Sequence, residues 1–231
     1  MYYYGPGVIF FVIALLITTG ASGYIKIKYA QTKKIISNKK IRGVDVARKI
    51  LDANGLNNVK IEEISGELTD HYDPTQKTVR LSPAIYEGNS LASVSVASHE
   101  CGHAIQDKKN YVFLHIRRKM VPTVNLVSYA GYIAIAIGLA ASKLSFLLVI
   151  GIVCELIIFL FQVVTLPVEF DASSRALKQI EELGIVTHEE KNKCRGMLTA
   201  AALTYVAAVA AALMQVLRLL LIIAQNNRDD D

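Results

Sequence analysis

Residues 144–168 read LSFLLVIGIVCELIIFLFQVVTLPV, a run with a single charge at Glu155. A helix crosses the hydrocarbon of a bilayer in roughly 20 mostly apolar residues, and this run is longer than that. Moving outward from it, three further stretches read the same way. No Lys, Arg, Asp or Glu occurs from Met1 to Ile25, from Met120 to Ser142, or from Gly196 to Leu217, and apolar sequence resumes past Arg218 to about Gln225. A signal peptide is the alternative for the first stretch, but it lacks a basic leader and a small-residue cleavage site. Tyr2, Tyr3 and Tyr4 suit an interfacial aromatic belt. The expected fold is therefore a mainly α, multi-pass membrane protein with about four transmembrane helices, at 1–25, 120–142, 144–167 and 196–225.

Composition agrees with this. The 231 residues are 52% hydrophobic and 19% charged, against about 25% charged in a soluble domain. Disordered, coiled-coil and disulfide-rich secreted classes are excluded. The net charge of +5 comes with no charged tail and no nucleic-acid motif, so no nucleic-acid partner is expected. Cys101, Cys154 and Cys194 are odd in number and unrelated in spacing, which reads as free thiols in a reducing compartment.

The basic residues orient the chain. Seventeen of the 25 Lys and Arg lie between the first and second spans, five between the third and fourth, and three (Lys143, Arg218, Arg228) on the other side. The positive-inside rule places both long loops in the cytoplasm and both termini outside. Basic residues beside an anionic leaflet also gain binding energy, which accounts for the net charge.

The first cytoplasmic loop, residues 26–119, has roughly 95 residues, enough for a small domain. Val44, Ala47, Ile50 and Leu51 recur at helical spacing and predict a helix over Gly43–Asn54, stopped by Gly55. Asn58–Glu63 reads as a strand. Leu68–Tyr72 and Thr78–Ser82 flank the turn Asp73-Pro74-Thr75-Gln76 and predict a hairpin. Ser90 is a plausible N-cap for a helix from Leu91 to about Gln106. In the second loop, residues 168–195, Pro167 is expected to start a helix over Val168–Leu183 that Gly184 closes.

The Leu91 helix contains His99-Glu100-Cys101-Gly102-His103, the pattern H-E-x-x-H. Residues four apart share a helix face, so both imidazoles can reach one metal ion. Two neutral imidazoles plus a carboxylate suit Zn2+. Glu100 is placed to take a proton from a water on that metal and pass it to the leaving nitrogen of a peptide. Gly102 removes bulk beside the metal, and the second strand of the hairpin is a candidate to bind an extended peptide. The bland alternative is a surface helix with two solvated histidines. A third ligand is needed, and Glu169 in Leu166-Pro167-Val168-Glu169-Phe170-Asp171-Ala172-Ser173 is the candidate, with Asp171 as an acceptor for the other N–H of a ligand imidazole. Acidic residues in a first helical turn also favour the helix dipole, which alone could explain both.

Together these stretches resemble the YugP-like membrane zinc metallopeptidases, a group of small neutral zinc proteases of bacterial membranes. The resemblance rests on Leu68-Thr69-Asp70-His71-Tyr72-Asp73-Pro74, Val79-Arg80-Leu81-Ser82, Ser98 to Gln106 around H-E-x-x-H, and Leu166 to Ser173. More distantly the layout is similar to the HtpX heat-shock and CAAX-prenyl proteases, where an Ala-Asp pair follows the Glu ligand. Here Ala172 is followed by Ser173, and the Asp stands one place earlier, which puts the role of Asp171 in doubt. The resemblance implies a cytoplasmic α+β zincin-like (gluzincin) domain, with Glu169 completing the ligand set of His99 and His103. It also implies a multi-pass cell-membrane location, the bilayer as partner, and a protein or peptide substrate.

Other residues are open to two readings. Asp70, His71 and Asp73 could form a second metal site, but strand alternation splits them between faces, which favours a polar rim. Arg175, Tyr72 and His188 are candidates to meet the oxyanion that develops on the carbonyl. His115 and His188 also read as interfacial or solvated. Glu155, mid-span, is a functional-site hypothesis by default, or a protonated group bonded to another helix, and Arg218 is expected to snorkel. An intramembrane site-2-type protease is disfavoured by Ser93, Ser95 and Ser98 on the H-E-x-x-H helix. The rival from another class is a non-catalytic membrane scaffold with a structural zinc site, Cys194 or His188 filling its fourth position.

Overall fold

The computed structural model describes residues 7–141, 144 and 146–229. Met1 to Ile25 as an expected span is therefore described from Gly7, and Tyr2, Tyr3, Tyr4 and Lys143 lie outside the described residues. The chain forms α1 (Gly7–Lys33), α2 (Gly43–Ala53), β1 (Lys60–Glu63), β2 (His71–Asp73), β3 (Thr78–Leu81), α3 (Pro83–Tyr86), α4 (Leu91–Lys108), α5 (Val112–Ala140), α6 (Phe146–Glu182) and α7 (His188–Asp229). Four of these, α1, α5, α6 and α7, are long and apolar enough to cross a membrane. The protein is mainly helical with one small sheet.

The four long helices overrun the apolar runs that announced them. α5 starts eight residues before Met120, and α1 continues through Lys33. The largest departure is at Pro167, which lies inside α6 and does not start a helix. An interior proline removes one N–H···O bond and costs about 3 kcal/mol. Here Val168, Ala172 and Ala176 are fully buried just beyond it, and their packing offsets that loss. Glu169 and Asp171 are therefore deep inside a 37-residue helix, so the first-turn dipole reading fails. The second loop shrinks to the link between Glu182 and His188. Gly184 ends α6 as expected, at φ +56°, with Ile185 N–H bonding back to the Ile180 carbonyl at 2.9 Å. His188-Glu189-Glu190 is not a loop but the first turn of α7. Thr187 and Glu190 form a capping box: the Glu190 N–H donates to Thr187 Oγ1 and the Thr187 N–H to Glu190 Oε2.

The chain divides into two compact units. One comprises 1–22, 116–166 and 204–231, the other 23–115 and 167–203. In the first, α5 and α6 approach closely at glycines, as helices do in lipid. A Cβ on Gly131 would stand 2.7 Å from Cys154 Cβ, and one on Gly151 2.4 Å from Ile135 Cγ1. Arg218 lies with its guanidinium 5.4 Å from the Phe11 ring, and Glu155 is half-buried.

The second unit carries its own core, centred on Val46, Ile50, Leu51, Leu81, Ile85 and Leu91. Its sheet has the order β1-β3-β2, with β1 parallel and β2 antiparallel to β3. The β2–β3 hairpin stands as read, its turn held by Asp73 Oδ1, which accepts from the Thr75 and Gln76 N–H groups. β3 lies between the other two strands, so both its edges are occupied and it is not the strand that could take up an extended peptide.

α4 runs through this unit. Between Leu91 and Asp107 every residue but Val96 and His99 is buried or nearly so, which excludes a surface helix with solvated histidines. Its serines are buried too. Ser95 Oγ donates to the Leu91 carbonyl, Ser98 Oγ to Ser95 and Ser93 Oγ to Ala84, so each hydroxyl is satisfied by nearby backbone. Ser90 caps the helix, its Oγ accepting from Ser93 N–H.

Candidate metal centre

His99 and His103 project from one face of α4, and Glu169 meets them from α6. The ligand atoms of the three lie within 4.8 Å of one another. Glu169 Oε2 is 3.3 Å from His99 Nε2 and 3.7 Å from His103 Nε2, and the imidazoles stand edge to face with centroids 4.8 Å apart. Among the described residues this is the one such His/Cys/Asp/Glu group, and His188 and Cys194 are not part of it. Two imidazoles and a carboxylate, largely buried and convergent, are a donor set that zinc accepts.

The other ring nitrogens are held. His103 Nδ1 is 3.0 Å from Gln106 Oε1. The Gln106 amide nitrogen donates to the Val168 carbonyl at 2.7 Å and to Asp171 Oδ2 at 2.8 Å. Both partners only accept, so the amide oxygen faces the imidazole and accepts from His103 Nδ1–H, which leaves Nε2 as the ring atom directed at Glu169. His99 Nδ1 meets Ser173 Oγ at 3.2 Å, a hydroxyl that accepts from Nδ1–H or donates to Nδ1, and its Nε2 is directed at Glu169. Asp171 does not touch an imidazole. It acts through Gln106 and is itself fixed by Arg175 Nε at 2.6 Å. Gln106 and Ser173 are the residues that sequence reasoning missed. Each lies one helical turn from a proposed ligand, Gln106 three after His103 and Ser173 four after Glu169, a spacing that points to a shared face.

Charge is concentrated here. Burial works against ionised Glu169, but its hydrogen bonds to His103 and His99 outweigh that and hold the carboxyl well below the usual range. Burial likewise disfavours the His103 imidazolium, and Glu169 more than reverses it, so the net shift is upward. Glu100 is buried on α4 beside the pair.

The helices meet where Gly102 faces Ala172. A Cβ on Gly102 would stand 2.4 Å from the Ala172 carbonyl oxygen. The glycine therefore sets the distance between the helix bearing the histidines and the helix bearing the glutamate.

The remaining candidates fall elsewhere. Tyr72 OH donates to Asp107 at 2.8 Å, which also pairs with Lys77. Arg175 is bound to Asp171 and stacks over Tyr111 at 6.0 Å. His188 is exposed, whereas His115 is not solvated at its ring tip, because its Nε2 is buried. Asp70, His71 and Asp73 bind β3 and its end. Asp70 accepts from Ser82 N–H at 2.7 Å, and Asp73 pairs with Arg80 at 2.8 Å, which pulls its carboxyl down to about 2 with help from the turn amides.

A membrane-type helical protein with a largely buried His-His-Glu cluster defines a class, and known proteins agree with it. Residues 7–224 match the family described as "Putative neutral zinc metallopeptidase", and the chain belongs to that family. It is 42% identical over 201 residues, 87% of this chain and 89% of the relative, to the "Putative membrane protease YugP" of Bacillus subtilis. No solved structure matches the chain. Both findings support a protease role, and the family implies a zinc cofactor.

Proposed function

We propose that this chain is a zinc-dependent endopeptidase of the H-E-x-x-H plus Glu (gluzincin) type. It hydrolyses peptide bonds of membrane-associated proteins at the cytoplasmic face of a bacterial cell membrane. The observation that carries the reading is the convergence of His99, His103 and Glu169 within 4.8 Å. Residues 26–119 and 168–195 then form the cytoplasmic metallopeptidase domain between spans at 1–25, 120–142, 144–167 and 196–225. The excess of Lys and Arg in those two segments supports that orientation.

His99, His103 and Glu169 would hold the zinc. Zinc supplies a Lewis acid for the scissile carbonyl and lowers the pKa of water towards neutrality. Glu100 takes the proton from the attacking water and returns it to the leaving amide nitrogen. Gln106 keeps the His103 ring proton on Nδ1 and so leaves Nε2 for the metal, and Ser173 orients the His99 ring through its Nδ1. Asp171 and Arg175 hold Gln106 in turn. Tyr72, Arg175 and His188 are the candidates for meeting the oxyanion, and none of them gains support for that role, because Tyr72 bonds to Asp107, Arg175 bonds to Asp171 and His188 is exposed. A scaffold with a closed structural site would need a fourth protein ligand, and among the described residues none joins the three.

The test is metal content and cleavage of an unstructured protein by the purified, detergent-solubilised chain. One zinc per chain is expected. Glu100→Gln should keep the metal and lose cleavage by at least about 100-fold, the scale of a positioned acid–base group, while Glu169→Ala should lose the metal. Parental cleavage by Glu100→Gln, or full zinc occupancy in Glu169→Ala, would refute the assignment.

A further inference from the structure

A second feature lies on the other side of Ser173 from His99. An open groove of about 390 Å³ runs between the C-terminal part of α6 and the N-terminal part of α7. Its lining is graded along the helices. Phe170, Leu198 and Ala202 form the apolar end, close to where the uncharged runs stop at Val168 and resume at Gly196. Lys178, Lys191 and Arg195 form the other end. From Phe170 to Lys178 the axial rise is about 12 Å. That is the scale of the headgroup layer, roughly 5–7 Å per leaflet, extended by the reach of long basic side chains.

The charges are not all committed. Lys191 pairs with Glu181, which ties α7 to α6, and its side chain is only 13% exposed. Lys178 is 69% exposed and reaches Glu182 at 3.7 Å, an exposed pair of little strength. Arg195 makes no ion pair within 4.0 Å among the described residues, although its charge acts on Glu181, which also lines the groove. The groove thus keeps an excess of positive charge beside an aromatic ring, Phe170, that is 46% exposed.

We propose that this groove binds an anionic phospholipid of the bilayer, its phosphate held by Arg195 and Lys178 and its acyl chain lying along the exposed Phe170 ring. Basic pockets between membrane helices on the cytoplasmic side recognise such headgroups. An acidic peptide would satisfy the cations but leave the apolar end uncovered. Ser173 lines the groove and contacts His99 Nδ1, so the lipid lies one side chain from the candidate metal ligands.

The experiment titrates phosphatidylglycerol against the full chain in neutral detergent and counts bound lipids by native mass spectrometry, with phosphatidylcholine as reference. Phosphatidylglycerol should bind at least tenfold tighter. Arg195→Gln and Lys178→Gln should each weaken it about fivefold, the effect of one basic residue at a membrane surface, and the double variant about 25-fold. Phe170→Ser should weaken the lipid and leave inorganic phosphate binding unchanged. Glu100→Gln, which lacks the proposed base, should bind as the parent does, so failure of the lipid site and failure of the hydrolase reading are distinguishable. The proposal is overturned if the two lipids bind equally, or if the double variant holds phosphatidylglycerol at parental affinity. It is equally overturned if inorganic phosphate binds as tightly as the lipid, which would make this an ion site, or if a glutamate-rich peptide displaces the lipid at lower concentration. Circular-dichroism melts check that each variant is folded; Phe170, Lys178 and Arg195 are exposed, whereas Glu100 is buried.

Discussion

Replacing Gly102 with alanine puts a methyl group where α4 has no room for it. The new Cβ would stand 2.4 Å from the Ala172 carbonyl oxygen and 3.2 Å from its Cα, whereas carbon and oxygen in contact sit about 3.3 Å or more apart. The obstructing atom is helix backbone, so it cannot swing away, and α4 and α6 must separate locally by about 1 Å. Overpacking of this kind costs about 1–3 kcal/mol, and the better helix propensity of alanine returns about 1 kcal/mol. The expected net destabilisation is therefore modest, up to about 2 kcal/mol. The site should suffer more than the fold. His103 follows Gly102 directly, Glu169 precedes Ala172 by three residues, and zinc accepts its ligands only near 2.0–2.2 Å. A 1 Å misplacement costs catalysis on the order of 100-fold, and zinc affinity should fall at least about tenfold. The assay pairs a thermal melt of the chelated chain with zinc competition and cleavage rates. A Gly102→Ala chain that melts a few degrees lower yet binds zinc and cleaves as the parent does would refute the view that this contact sets the spacing of the ligands.

Three further outcomes follow from the same geometry. Gln106→Leu removes the acceptor from His103 Nδ1 and should weaken zinc about 10- to 100-fold, read by competition with a chelating dye; unchanged affinity would remove Gln106 from its positioning role. Asp171→Asn should act in the same direction but more weakly, because the amide of Gln106 keeps the Val168 carbonyl; an effect larger than that of Gln106→Leu would show that Asp171 does not work through Gln106. In chain stripped of metal, the raised His103 stabilises below the ordinary imidazole value of about 6.5 and loses this as pH climbs through its folded pKa. The lowered Glu169 stabilises above about 4.3 and loses this as pH falls. The stripped chain should thus melt highest between those values and lower towards pH 8.5, while the stabilisation added by zinc grows with pH because its imidazoles must be neutral. A stripped chain that melts progressively higher from pH 6.5 to 8.5 would contradict this.

Much of the molecule was legible in the primary structure because the relevant signals are local. Long uncharged runs announced α1, α5, α6 and α7, and Ser90, Gly184 and the Asp73 turn marked boundaries through backbone chemistry that needs only neighbours. Where reading failed, a distant partner overrode a local rule. Pro167 is a helix starter by itself, yet burial beyond it carries α6 straight through. Gly102 reads as space for a metal, but it is space for the neighbouring helix. Thr187 and Glu190 carried a capping signal that hydropathy could not see.

The amino-acid order alone determined two things: four segments that only a bilayer or a helical interior can accommodate, and a pair of imidazoles one helical turn apart. Both follow from periodicity and transfer free energy, which are properties of contiguous residues. The tertiary structure decided that Glu169, 66 residues beyond His103, meets that pair, that Gln106 selects the nitrogen His103 presents, and that Ser173 holds the His99 ring at its Nδ1. Such convergence depends on how closely α4 can lie against α6, and that distance is set by the absence of a side chain at Gly102.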